Sequence, residues 1–208
     1  MRPAPQSPSG AGPRGKAMIR VLVVDDHPAV RAGLVAMLRS EPGLVPVGAV
    51  GSAEEALREL ARDGTDVLLV DYDLPDSDGL TLCWDAKCRE DPPAVLVYSA
   101  FARPRLTIAA TLAGADAMLD KGADPDRLFE LVRVVARGGR ALMRAAPELI
   151  SRCVAELDPD DIPLFGMAFN RMPVAEIATV AGCDITATQA RLRAIIGQLQ
   201  STPAASAA

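Results

Sequence analysis

Short apolar runs alternate with helical patterns through the first two thirds of the chain. The first run, IRVLVV at residues 19–24, is continuous and β-branched, which is typical of a parallel strand buried on both faces. The next segment has apolar residues at helical spacing, starting with Pro28 and stopping at Pro42-Gly43. This unit recurs, and we predict five strands, each followed by a helix, at residues 19–24, 44–50, 66–70, 94–98 and 115–119.

Strict alternation of strands and helices within residues 18–138 predicts an α/β fold. Right-handed crossovers then give a doubly wound, five-stranded parallel sheet with helices on both faces. Ligands of such sheets bind outside the carboxyl ends of the strands, where the strand order reverses. The residues directly after each strand are therefore the ones to examine for function.

The alternating pattern stops at Gly138-Gly139. We predict a linker at 139–156 and a small all-α domain at 157–201, with helices at 160–169, 173–181 and 185–199. Residues 1–17 and 202–208 are rich in Pro, Gly, Ala and Ser, and both are expected to be disordered tails.

Composition excludes several kinds of site. The chain has one Trp, two Tyr and four Phe, too few for the stacking platforms of single-stranded nucleic-acid modules. Its single histidine, His27, excludes multi-histidine metal sites, and its four cysteines form no C-x-x-C pair. The head of the chain has no apolar run that could be a signal peptide, and no later run is long enough to cross a membrane. These features predict a cytoplasmic protein without a membrane partner.

Polar residues follow four of the predicted strands. They are Asp25 and Asp26 after the first strand, Asp71 after the third, Ser99 after the fourth and Lys121 after the fifth. Crowded carboxylates repel one another, and a hard divalent cation such as Mg²⁺ would neutralise them. Carboxylates, Mg²⁺, a lysine and a hydroxyl around one carboxyl oxygen form a site for phosphoryl transfer onto an aspartate.

Four separated motifs resemble a known family. VLVVDDHPAVRAGL, DVLLVDYDLPDSDGL, VLVYSA and GADAMLDKGADPDRLFELV are similar to the receiver domain of two-component response regulators. The likeness covers residues 18–138, and the DDHP-x-VR-x-GL form resembles the NarL/FixJ type. It implies the flavodoxin-like receiver fold.

The resemblance also implies the role of each pocket residue. Asp71 would accept a phosphoryl group from a partner histidine kinase. Asp26, Asp71 and the backbone carbonyl of Asp73 would bind Mg²⁺, and Asp25 would act through a bound water. Such a protein accepts a phosphoryl group but is not a dedicated enzyme.

Four further residues complete this interpretation. Ser99 would be the switch hydroxyl, and Lys121 would pair with the phosphoryl oxygens. The family usually has an aromatic residue three positions before that lysine, where this chain has Met118. His27 is expected to be a loop residue and not a phosphoacceptor.

Residues 157–199 resemble a divergent LuxR-type helix-turn-helix. Pro173 suits the start of its scaffold helix, Gly182 the turn and Asp184 the cap of the recognition helix. The expected core consists of Ala178, Ile185, Leu192, Ile195 and Ile196. Gln189, Arg191 and Arg193 are the predicted contacts with promoter DNA, and two half-sites would require a homodimer.

Two alternatives to a DNA-binding regulator remain open. Residues 151–208 carry four arginines against six acidic residues, whereas DNA-binding modules normally have a basic face. The output domain could therefore act by protein–protein contact.

A Mg²⁺-dependent aspartyl phosphatase would need a second carboxylate two residues after the nucleophile, where Asp73 lies, but the motifs of Ser99 and Lys121 favour the regulator.

Overall fold

The computed structural model describes residues 18–62, 64–100 and 104–201. The two predicted tails, 1–17 and 202–208, lie outside the described residues. Five parallel strands form one sheet in the order β2-β1-β3-β4-β5. The strands are β1 (Ile19–Val24), β2 (Leu44–Val50), β3 (Val67–Asp71), β4 (Ala94–Ser99) and β5 (Ala117–Asp120).

Nine helices are present in the described residues, and the predicted fold class is confirmed. They are α1 (Pro28–Ser40), α2 (Ala53–Leu60), α3 (Gly79–Lys87), α4 (Pro104–Leu112), α5 (Pro125–Ala136), α6 (Pro147–Ala155), α7 (Ile162–Phe169), α8 (Val174–Ala181) and α9 (Ile185–Ser201). Three strands differ from the predicted bounds, and β4 extends by one residue to Ser99. β3 extends to Asp71 because that residue still pairs with Tyr98, and β5 starts at Ala117 because Ala115 is bonded in a turn to the Ala110 carbonyl.

Alternating strand residues build a separate apolar core on each face of the sheet. Val21 and Val23 of β1 point toward the cluster that includes residues of α1 and α5. Leu22 and Val24 point to the opposite face and join the cluster that includes α2, α3 and α4. The sheet is therefore covered on both faces, as parallel sheets usually are.

Helix α4 is buried on nearly all of its surface. Its buried residues are Leu106, Thr107, Ile108, Ala109, Ala110 and Leu112. One side of α4 faces the sheet, and the other is covered by α7 and α9 from the C-terminal region. A helix that is apolar all round needs partners on both sides, and here the C-terminal helices supply the second one.

A single apolar cluster runs from the sheet into the C-terminal helices. Leu164 of α7, Ile177 of α8 and Leu192 of α9 belong to the same cluster as the residues of α4. The predicted linker takes part as well, through the buried Cys153 of α6. The division at residues 139–156 therefore remains a prediction, and we call residues 157–201 the output region.

One predicted core residue is wrong. Ile185 is 50% exposed because it lies in the first turn of α9, on the side away from the cluster. The predicted core residues Ala178, Leu192, Ile195 and Ile196 are all buried. In the parts of the chain that the structure describes, no helix combines the length and apolar character that a bilayer span requires.

Gly79 allows α3 to start directly against the end of β3. Its backbone N–H donates to the Tyr72 carbonyl at 2.7 Å. A Cβ at Gly79 would lie 2.3 Å from the Asp71 carbonyl oxygen, which no side chain can do without moving the backbone. Gly33 of α1, in contrast, has open space where a Cβ would be.

These two glycines give a matched test. Gly79→Ala should lower the free energy of unfolding by roughly 1–3 kcal/mol, because the overpacked backbone must shift. Gly33→Ala should raise it by about 0.5–1 kcal/mol, because alanine is the better helix former. Urea denaturation measures both changes. Equal effects of the two variants would contradict the close approach of Gly79 to the Asp71 carbonyl oxygen.

The shared cluster predicts cooperative unfolding of the receiver and output regions. Ile196 is 3% exposed and lies on the face of α9 that points toward the receiver. Ile196→Ala should lower the free energy of unfolding by roughly 2–5 kcal/mol within one calorimetric transition. Val180→Ala, at a residue 68% exposed, should change it by less than about 0.5 kcal/mol. Two separate transitions in the wild-type chain would contradict the prediction.

Candidate functional site

The strand ends bring the predicted pocket residues to one edge of the sheet. Asp25 and Asp26 follow β1, Asp71 ends β3, Ser99 ends β4 and Lys121 follows β5. These four strands are consecutive neighbours in the sheet. Their carboxyl ends therefore meet in one place, and β2 lies outside that group.

Lys121 joins two buried carboxylates. Its Nζ lies 2.5 Å from Asp71 Oδ2 and 2.9 Å from Asp25 Oδ2. Asp25 is 1% exposed and Asp71 is 3% exposed, so neither charge is screened well by water. The ammonium offsets the repulsion between the two carboxylates. It also holds both of them toward β5.

Burial and charge shift both members of the central pair. Burial raises the pKa of Asp71 above its usual range, although the hydrogen bond from Lys121 opposes the shift. Burial alone would lower the pKa of Lys121, but its hydrogen bonds to Asp71 and Asp25 raise it overall. Lys121 is therefore a cation at neutral pH, and the Asp71 oxygens are more basic than those of an ordinary aspartate.

The acidic pair extends the pocket toward solvent. Asp25, Asp26, His27 and Asp71 each present a ligand atom, and these atoms lie within 4.8 Å of one another. The Asp26 Oδ1 atom is buried and has no hydrogen-bond donor among the described residues, although His27 Nδ1 is 2.5 Å from it. A carboxylate oxygen without a donor is suited to a cation, and oxygen donors are what Mg²⁺ prefers. The residues present therefore fit a magnesium ion.

The positions of His27 and Asp73 relative to the carboxylates could not be predicted from the sequence. His27 is in a loop, as expected, but its ring lies beside the carboxylates and its side chain is 66% exposed. The Asp73 carboxylate is outside this group, and its backbone N–H points to Asp71 Oδ1 at 3.4 Å. The predicted metal contact of its backbone carbonyl stays a prediction.

Ser99 and Met118 lie on the side of the pocket next to α4. Ser99 is fully buried, and its carbonyl accepts a hydrogen bond from the Lys121 backbone N–H at 2.8 Å. Met118 is half-buried, with its sulfur 3.9 Å from the Thr107 hydroxyl of α4. An aromatic ring is nonetheless near the lysine, because Lys121 Nζ lies 5.7 Å from the centre of the Tyr98 ring.

The helix-turn-helix geometry agrees with the sequence pattern. Gly182 ends α8 in the left-handed conformation, with φ of 66°. The Asp184 carboxylate accepts from the Ala187 N–H at 2.8 Å and caps α9. α8 and α9 therefore occupy the positions of the two helices of a helix-turn-helix.

The three predicted DNA contacts are engaged within the protein. Gln189 Nε2 lies 3.6 Å from Cys88 Sγ, and Arg193 pairs with Asp85 of α3. Both therefore face the receiver. Arg191 pairs instead with Asp161, at 2.8 Å from Nε, inside the output region.

Sequence analysis missed other contacts between the receiver and the C-terminal part of the chain. Arg105 of α4 donates to the Leu199 carbonyl at 3.1 Å and pairs with Glu156. Arg171 has φ of 63°, and its guanidinium donates to the Ala115 carbonyl at 2.6 Å. Burial lowers the pKa of Arg171. These residues lie far apart in sequence from their partners, so no local pattern could have indicated them.

Gln200 links α9 to the loop after Asp71. Its Nε2 lies 2.8 Å from Asp78 Oδ1 and 3.3 Å from the Tyr72 hydroxyl. Asp78 could have been noticed from sequence, because an aspartate before an apolar helical segment is a typical N-cap. It accepts from Leu80 and Thr81 in that role. Gln200 itself has no such signal.

Comparisons with known proteins agree with this geometry. The response regulator receiver domain model matches residues 21–133. The DNA-binding transcriptional activator DevR/DosR of Mycobacterium tuberculosis is 34% identical over 152 residues, which is 72% of this chain and 69% of that protein. The transcriptional regulatory protein UhpA of Salmonella typhimurium is 38% identical over 122 residues, 59% of this chain and 61% of that protein.

A solved structure extends the likeness into the output region. The RcsB response regulator of Salmonella typhimurium aligns with a TM-score of 0.56 over 91% of this chain and 95% of its own. At 19% identity, this likeness shows the fold alone. The sequence matches confirm the resemblance to the NarL/FixJ type. The chain thus belongs to the response regulators, with a receiver domain at residues 21–133.

Proposed function

We propose that this chain is a transcriptional response regulator that a histidine kinase phosphorylates on Asp71 in the presence of Mg²⁺. The observation that carries the proposal is the convergence of Asp25, Asp71 and Lys121 at hydrogen-bond distance, with Asp26 beside them. The curated relatives reported above are transcription regulators, which favours a regulator over a dedicated phosphatase.

The residues of the pocket divide the chemistry among them. An Asp71 carboxylate oxygen attacks phosphorus, the bond from phosphorus to the kinase histidine nitrogen breaks, and an acyl phosphate remains on Asp71. Lys121 and the Ser99 hydroxyl would bind phosphoryl oxygens. Asp26, Asp71 and the Asp73 carbonyl would hold Mg²⁺, with Asp25 acting through a water. The metal supplies neutralisation of the charge that develops on the phosphoryl oxygens.

The output region is proposed to bind promoter DNA through α9. In the docked arrangement, Gln189 and Arg193 face the receiver and are not presented to a duplex. Phosphorylation would free this face or favour a homodimer on two half-sites. DevR/DosR and UhpA, named above as transcription regulators, support this output.

One set of observations favours a second candidate, output through protein contact. Val180 and Ile185, at the corner between α8 and α9, are 68% and 50% exposed. The two arginines of α9 are both paired with aspartates. An apolar corner without a free arginine on its recognition helix suits a protein surface better than a phosphate backbone.

Phosphorylation is tested by two variants that remove the same charge from different roles. Asp71→Asn should abolish labelling by acetyl phosphate at any Mg²⁺ concentration, because the nucleophile is absent. Asp26→Asn should weaken Mg²⁺ binding by about tenfold or more, yet recover labelling at high Mg²⁺. Radiolabel incorporation measures both variants. Full labelling of Asp71→Asn would refute the assignment of the phosphoacceptor.

DNA binding is tested by the salt dependence of affinity. Arg193→Ala should reduce the slope of log affinity against log salt by about 0.9, the value for one neutralised phosphate. Arg152→Ala removes the same charge from the exposed surface of α6 and should leave the slope unchanged. Phosphorylated protein is titrated against genomic fragments at low and moderate salt. If no fragment is retained under either condition, the protein-contact alternative replaces DNA binding.

A further inference from the structure

Gln200 brings a side chain of the output helix onto the loop between β3 and α3. Its amide group carries two hydrogens, and its nitrogen lies within hydrogen-bond distance of both Asp78 Oδ1 and the Tyr72 hydroxyl. Tyr72 follows Asp71 directly in the chain. The contact is therefore one residue away from the proposed phosphoacceptor.

The same loop is closed by a dense set of its own hydrogen bonds. Asp78 Oδ1 also accepts from the backbone of Leu80 and Thr81, at 2.9 and 3.0 Å. Asp73 and Asp78 are joined by a β-bridge, and Asp73 N–H points to Asp71 Oδ1. Asp73 therefore contacts both the Asp71 carboxylate and Asp78.

Asp78 therefore has two groups of partners in different parts of the molecule. Inside the receiver it caps α3, and it also accepts a hydrogen bond from Gln200 of α9. A hydrogen bond to a charged acceptor is among the stronger ones in proteins. An arrangement of the loop that moves Asp78 loses this bond, whereas an arrangement that keeps it also keeps α9 docked.

We propose that Gln200 is a positioning residue for the phosphoacceptor loop, and that it couples occupation of the Asp71 site to the docking of α9. The inference rests on the proposed function, since it names how that site communicates with the output helix. Coupling of this kind is reciprocal in free energy. If occupation of the site breaks the Gln200 contact, removing that contact by mutation loosens α9 and favours the occupied state.

The neighbouring glutamine provides a matched control. Gln198 lies two residues earlier on α9, and its side chain donates to the Glu156 carbonyl within the C-terminal region at 2.7 Å. Gln198→Ala makes the same chemical change on the same helix, but it removes the bond to the Glu156 carbonyl and leaves Gln200 on the loop. Trp84, the chain's single tryptophan, is buried on α3 and provides a fluorescence signal close to the loop.

The experiment uses the full chain with beryllofluoride, a phosphoryl analogue, at fixed Mg²⁺ concentration. In Gln200→Ala, the affinity for beryllofluoride measured by Trp84 fluorescence should rise about tenfold. Hydrogen exchange of α9 without ligands should become faster in the same variant. Gln198→Ala should match the wild-type protein in both measurements.

Each result has a definite meaning. Faster exchange of α9 with equal or weaker beryllofluoride affinity would reduce Gln200 to a structural contact and overturn the inference. Unchanged exchange and affinity would overturn it as well. If the wild-type chain itself fails to bind beryllofluoride with Mg²⁺, the proposed function fails, and this inference fails with it.

Discussion

The arrangement of this molecule depends on the apolar surface of α4, which extends over both of its sides. The sheet covers one side, and the other would return Leu106 and its neighbours to water if α7 and α9 moved away. Burial stabilises by about 25 cal/mol per Å² of apolar area. The apolar area of even a modest interface therefore stabilises the docking of α9 more than the polar contacts of that interface do. The Arg193–Asp85 pair has a half-exposed arginine and contributes about 0–1 kcal/mol. Apolar cover, more than charge, therefore holds the recognition helix on the receiver.

At the carboxyl ends of the strands, the arrangement of the side chains depends on charge more than on apolar area. Three carboxylates, Asp25, Asp26 and Asp71, surround one ammonium, Lys121, so the carboxylates outnumber the lysine in the pocket. Lys121 reaches Asp25 and Asp71, while Asp26 Oδ1 makes no hydrogen bond to the described residues and lies beside the His27 ring. A divalent cation matches both the remaining charge and the remaining oxygen. The pocket thus fits a metal before any phosphoryl group is considered.

The sequence predicted the strands and the pocket because both depend on local patterns. Continuous apolar runs mark buried parallel strands, and the order of Asp25, Asp71, Ser99 and Lys121 follows from where each run ends. The segment LTIAATL in α4 also carried a signal, since a helix without a polar face needs two partners. Which helices would cover it had no local signal. Arg105 and Leu199 are 94 residues apart, and Tyr72 and Gln200 are 128 apart. The exposure of Ile185 was missed for the same reason, because it depends on how the output region packs.

The burial of α4 also determines where a change in the pocket can be detected. On one side, Ser99 and Met118 lie next to α4, and Met118 contacts Thr107 through a flexible thioether. On the other side, the loop after Asp71 reaches Gln200 through Tyr72 and Asp78. Both routes end on α9, because α9 covers α4 and its last turn lies over the loop. In the proposed function, a receiver that uses α9 as the second cover of α4 would report the state of Asp71 without an aromatic residue at position 118.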